Sequence, residues 1–173
     1  MSVQISGLPP ATPASDWVLP MENAAGDLTA KVSASDLVNS EVSQGNWLPT
    51  LLGSTANPTL TYTNQNGRYF KRGSLVTVWG RLRVASISGG SGYSLIGGLP
   101  FRSASTGVGW APGSVSYGYG FTTAGPTMIQ VRDNEFYMQP MTFQYNNFNI
   151  SFTQISQWKA GSLLHFFATY EAQ

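Results

Sequence analysis

The sequence contains no cysteine and a single histidine. The first absence excludes a disulfide framework, a thiolate zinc site and a cysteine nucleophile; the second excludes a metal centre built from several imidazoles. Charge is also scarce. Only 10% of the 173 residues are Asp, Glu, Lys or Arg, against about a quarter in an ordinary soluble chain, so water must be met mainly by Ser, Thr, Asn, Gln and backbone. No apolar run approaches the roughly 18 residues needed to cross a bilayer. The opening MSVQISGLPPATPASD has neither the basic segment nor the apolar stretch of a secretory leader, and no membrane insertion is expected. What the chain has in quantity is glycine (19), proline (10) and aromatic side chains (13%), a mixture that suits many short strands joined by turns.

The few charges are unevenly placed. Residues 1–45 carry Asp16, Glu22, Asp27, Asp36 and Glu41 against Lys31, a net of −4, whereas residues 46–173 carry eight basic residues against Asp133, Glu135 and Glu171, a net of +5. The acidic front portion reads as an arm. Leu8-Pro9-Pro10-Ala11-Thr12-Pro13 favours extended, unpaired backbone, because each proline ring fixes φ and removes an amide donor. Asp16–Met21 and Asp27–Val32 are expected strands around the turn chemistry of Glu22-Asn23-Ala24-Ala25-Gly26. Ser33-Ala34-Ser35-Asp36 then opens a short amphipathic helix with Leu37, Val38 and Val42 on one face. A piece of this size cannot bury a core of its own. It must dock, either on the body as extra strands or on a partner, and its opposite charge favours the partner. The docking side chains expected are Leu8, Pro9, Trp17, Leu19, Leu28 and Leu37.

From residue 46 onward strand follows strand. Trp47–Leu52 and Thr59–Thr63 precede Asn64-Gln65-Asn66-Gly67, whose Asn-Gly pair predicts a tight turn; Arg72-Gly73 predicts another. Ser74–Ile87 alternates clearly, with Val76, Val78, Leu82 and Val84 facing one way and Thr77, Trp79, Arg81 and Arg83 the other. Phe148, Ile150 and Phe152 alternate with Asn149, Ser151 and Thr153. Leu163–Tyr170 is apolar on nearly both sides, as a central strand, or one covered by another subunit, would be. Some nine or ten strands in residues 46–173 predict an all-β fold, a jelly-roll-like antiparallel β-sandwich preceded by the extended arm with its small hairpin and short helix.

The candidates for chemistry are few. Asp133 and Glu135 would lie about 7 Å apart along a strand, but Gln130–Phe136 has the composition of a hairpin with Asp-Asn at its tip. His165 has no nucleophile or orienting group near it in sequence, as a catalytic base requires. No phosphate-cradling glycine motif occurs. The chain is therefore expected to be no enzyme, and to hold no cofactor and no metal. Arg68, Lys71, Arg72, Arg81 and Arg83 fall within a short stretch on adjacent strands and could form one positive patch, suited to an acidic arm, a neighbouring subunit or an anionic glycan. Nucleic acid is not expected at a net charge of +1. Trp110, Tyr117 and Tyr119 sit in a glycine-rich segment with little polar side chain and are candidates for stacking on sugar rings.

Two stretches resemble the virion proteins of tailed bacteriophages. Ile5-Ser6-Gly7-Leu8-Pro9, Asp16-Trp17-Val18-Leu19-Pro20, Asp27-Leu28-Thr29-Ala30-Lys31-Val32-Ser33 and Asp36-Leu37 are similar to the particle-attachment segment that opens many phage fibre proteins. Gly45-Asn46-Trp47-Leu48-Pro49-Thr50-Leu51 and the run from Tyr62 to Arg81 resemble the C-terminal β-domain of fibres and head-decoration proteins. The resemblance implies a virion location and a homotrimer of β-sandwich knobs bound to other virion proteins of capsid or tail. It also implies no catalytic residues. With only Glu41–Gly45 between arm and knob, a short fibre or capsid-cementing decoration protein is favoured over a long tail fibre. The last strand, through Leu164, His165, Phe166, Phe167 and Tyr170, would then line the three-fold axis. A receptor-binding fibre knob, or a carbohydrate-binding module for host surface glycan, is the alternative.

Overall fold

A computed structural model describes the backbone of residues 18–22 and 28–33 and, in full, residues 42–105, 107, 110–144 and 149–173. The expected docking residues Leu8, Pro9, Trp17 and Leu37, and the expected helix after Ser33, lie outside the described residues. The chain divides into two compact units, Met1–Val42 and Ser43–Gln173. In the first, β1 (Val18–Glu22) pairs antiparallel with β2 (Leu28–Ser33), placing Leu19 opposite Val32 and Leu28 opposite Glu22, with a register shift after Met21.

The second unit is all-β apart from a short 3₁₀ turn at Ile155–Gln157. Its strands are β3 (Val42–Trp47), β4 (Thr50–Gly53), β5 (Thr59–Arg72), β6 (Leu75–Ser88), β7 (Ser94–Gly97), β8 (Ala111–Tyr119), β9 (Met128–Val131), β10 (Tyr137–Gln144), β11 (Asn149–Phe152) and β12 (Leu163–Glu171). They form one hydrogen-bonded path in the order β3-β5-β6-β12-β8-β9-β10-β7-β4, with β11 added beside β10. β3 and β4 are the two ends of that path, yet Trp47 and Thr50 are only three residues apart in the chain, a span of at most about 11 Å. The sheet must therefore curl until its ends approach, enclosing the core between its own two halves.

The core follows from the period-two pattern. On β6 the side chains of Val76, Val78, Leu82 and Val84 are buried, and on β12 those of Leu164, Phe166, Ala168 and Tyr170. β12 pairs with β6 over nine residues, from Leu163 opposite Arg83 to Glu171 opposite Leu75, so the two inward rows interdigitate. Ile129, Val131, Met138, Ile96, Leu51 and Trp158 close the cluster from the other half of the sheet. Some of the polar groups inside it are partnered: the Tyr170 hydroxyl donates to the Phe101 carbonyl at 2.9 Å, and Thr142 and Thr153 hydroxyls meet at 2.8 Å, whereas Nε1 of Trp158 and Oε1 of Gln139 are buried without a partner. Burial pushes the phenols of Tyr62 and Tyr170 above their usual range.

Two expectations are corrected. Asn64–Gly67 is not a turn but the middle of the 14-residue strand β5. Gly67 serves close approach instead: it pairs with Gly80, and a Cβ on it would fall 2.3 Å from Nε1 of Trp47. The chain reverses at Gly73, whose φ of 56° is in the glycine-favouring region. Nor is Val42–Gly45 a linker, since it is the first part of β3 beside β5.

Candidate functional site

The outward side of β5, β6, β12 and β8 is where side chains with recognisable chemistry gather. Register places them in rows across the strands. One row runs Asn66, Arg81, His165, Tyr117; the next runs Arg68, Trp79, Phe167, Ser114; a third holds Asn64, Arg83, Leu163 and Tyr119. A bulge in β8 opposite His165 and Phe166 re-aims that strand, so consecutive residues Ser116 and Tyr117 are both exposed. Trp79 is 48%, Phe167 43% and Tyr117 52% exposed. Leu75 and Phe70 extend the apolar surface toward the β5–β6 turn. Exposed apolar side chains gathered on one sheet face make it a candidate binding face.

At the β5–β6 side of this face lies an open groove of about 640 Å³, lined chiefly by Asn46, Asn66, Arg68, Trp79, Arg81 and His165. No Asp or Glu lines it among the described residues. Nε of Arg81 and Nε2 of His165 are shielded from solvent and have no hydrogen-bond partner in the structure. The Tyr117 ring lies 5.8 Å from the imidazole, tilted by 58°. Burial, and then the neighbouring Arg81 guanidinium, hold the His165 pKa below its ordinary value. Underneath, the Trp47 indole donates to the carbonyls of Arg68 (3.2 Å) and Trp79 (3.1 Å), fixing the two strands that carry the groove.

The residues singled out in the sequence are distributed differently. Leu164, Phe166 and Tyr170 are buried in the chain's own core, because even-numbered positions of β12 face inward; they cannot offer side chains to another subunit. His165 and Phe167, on the odd positions, do reach the outer face. Tyr117 and Tyr119 share that face, but Trp110 stands at the far end of β8, roughly 20 Å away at about 3.3 Å per residue, with the Arg132 guanidinium 4.3 Å from its ring centroid. Four of the five clustered cations share the outer face. Lys71 does not: it points to the opposite side, where its ammonium donates to the Gly73 carbonyl and lies 5.4 Å from the Phe101 ring. Asp133 occupies the β9–β10 turn with Asn134 at a φ of 58°, and Glu135 hydrogen-bonds Tyr137 and raises its pKa, after burial. Trp79, Arg81, Asn46 and Asn66 were not singled out as one site; the alternation within β6 was the signal for the first two, but only long-range pairing brings all four together. Among the described residues no group of three or more His, Asp or Glu is placed to hold a metal, and no helix is long and apolar enough to cross a membrane.

No protein-family model and no curated protein matches the sequence. Among solved structures, the crystal structure of the Dettilon tailspike protein superposes with a TM-score of 0.61 at 17% identity, over 76% of this chain and 24% of that one. The fold resembles part of a tailspike. The chain thus spans about a quarter of the length of the tailspike it matches, and at this identity the likeness is one of fold.

Proposed function

We propose that the protein is a structural component of a bacteriophage particle, a homotrimer displayed on the virion surface and anchored to other virion proteins by the segment that precedes β3. In this reading the unit from β3 onward is a jelly-roll-like knob that binds and assembles and does not catalyse. The observation that carries it is the tailspike-like fold over three quarters of the chain, which favours the tail over capsid decoration. A poverty of charge together with exposed aromatics fits a protein that spends its surface on contacts, because desolvating charge at a contact is costly. Labelling the chain and imaging purified particles tests the reading: label at the tail supports it, label on the head moves it to a cement protein, and no label ends it. Light scattering should return three times 18.6 kDa; a monomer removes the trimer.

The second reading is a receptor-binding knob or carbohydrate-binding module. It is favoured by the exposed Trp79, Tyr117 and Tyr119 beside arginines on one sheet face. The aromatic face, rather than Trp110, is where a host glycan would be held.

A further inference from the structure

We infer that the groove between β3, β5, β6 and β12 is a binding site for an acidic saccharide, a sugar carrying a carboxylate. The inference deepens the second reading above and is independent of where on a particle the chain sits.

Three observations converge on that ligand. The first is sign: Arg68 and Arg81 line the groove with His165, no carboxylate lines it among the described residues, and of the three acids in residues 46–173 only Glu171 lies on this face, opposite Leu75 two rows beyond Trp79. A second is unmet hydrogen-bonding capacity. Arg81 Nε is a donor held out of solvent without an acceptor, and His165 Nε2, its cross-strand neighbour, is likewise unpartnered. Neither nitrogen is engaged by the chain's own groups, so a sugar carboxylate pairing with the Arg81 guanidinium, with its ring hydroxyls beside His165, would meet no competing partner within the fold. The third is shape and surface. The half-exposed Trp79 ring supplies a flat apolar wall of the kind on which a pyranose face stacks, Asn46 and Asn66 supply amide donors and acceptors for hydroxyls, and a volume of about 640 Å³ falls within the roughly 300–1,000 Å³ of small-ligand sites. An inorganic anion would use the arginines but not Trp79. A neutral sugar would use Trp79 and leave the guanidinium unmet.

The test uses the full chain and three probes in isothermal titration: a galacturonic acid trisaccharide, the corresponding neutral galactose trisaccharide, and inorganic phosphate. The acidic trisaccharide should bind at least tenfold more tightly than either of the others. Arg81→Gln and Trp79→Ala should each weaken that binding by tenfold or more. Arg83→Gln, on the same face but not lining the groove, should change it less than threefold. Thermal melts of all variants separate loss of the site from loss of the fold. Equal affinity for acidic and neutral sugars, no binding of the acidic sugar, or phosphate binding as tightly as the trisaccharide overturns the inference. So does light scattering in which Trp79→Asp converts an oligomer to monomer, which would make the groove a contact between copies. None of those results touches particle membership, which the labelling experiment decides separately.

Discussion

Gly67 lies directly opposite Gly80 across the β5–β6 ladder, and each leaves room for an aromatic ring on the core side. Trp47 covers the first and Phe166 the second, the two rings meeting edge to face with centroids 6.2 Å apart. A Cβ on Gly80 would stand 2.2 Å from Cζ of Phe166. Gly80→Val should therefore destabilise the fold by about 1–3 kcal/mol through overpacking, and Gly67→Val by a similar amount. Urea denaturation curves of the two variants check this; midpoints unchanged from the parent would mean that the rings do not depend on the bare backbone.

Inward-facing and outward-facing residues of β12 should behave as opposites. Leu164 is fully buried and Phe167 is 43% exposed. Leu164→Ala is expected to cost about 2–5 kcal/mol by leaving a cavity, while Phe167→Ser should move stability by less than about 1 kcal/mol. Denaturant titration of the pair measures the difference; equal losses would contradict the inward-outward assignment of the strand.

Acid should weaken the fold through His165. Its pKa in the folded chain lies below the ordinary value of 6.5 because of burial and then Arg81. As pH falls from 6.5 toward that lower pKa, the unfolded chain takes up a proton that the folded chain refuses, so stability declines through this window and levels off below it. His165→Gln should flatten the decline, read as melting temperature against pH from 7.5 to 4.5. A variant with the parent's slope would show that the titration lies elsewhere.

Much of this architecture was legible in the chain because period-two patterning is a local signal. Val76, Val78, Leu82 and Val84 alternate with Thr77, Trp79, Arg81 and Arg83, and the structure buries the first set while the second lies on the outer side. What sequence could not show is which strand lies beside which. Arg81 and His165 become neighbours only through a pairing that joins residues more than 80 apart, and that pairing also turns Leu164, Phe166 and Tyr170 into core rather than contact surface. The Asn66-Gly67 pair misled for a similar reason. Its local preference for a turn yields to Trp47, a ring brought in from β3 that needs a position without a side chain.

Trp47 gives a further expectation. Its indole N–H reaches two carbonyls, on Arg68 and Trp79, and its ring fills the space over Gly67. Trp47→Phe should cost about 1–3 kcal/mol from the lost donor and reduced packing and should weaken any groove ligand by loosening β5 against β6. Unfolding curves together with titration of the acidic trisaccharide read the two effects in one protein.

The placement of β12 between β6 and β8 has a consequence for biosynthesis. Thr77 and Thr169 share a hydrogen bond across 92 residues of sequence, so a growing polypeptide on the ribosome has made β6 and β8 long before the strand that joins them exists. Until it emerges, both neighbours carry bare backbone donors and acceptors, which invites pairing with other nascent chains. Recovery of correctly folded product is therefore expected to depend on how quickly β12 reaches its slot as well as on final stability.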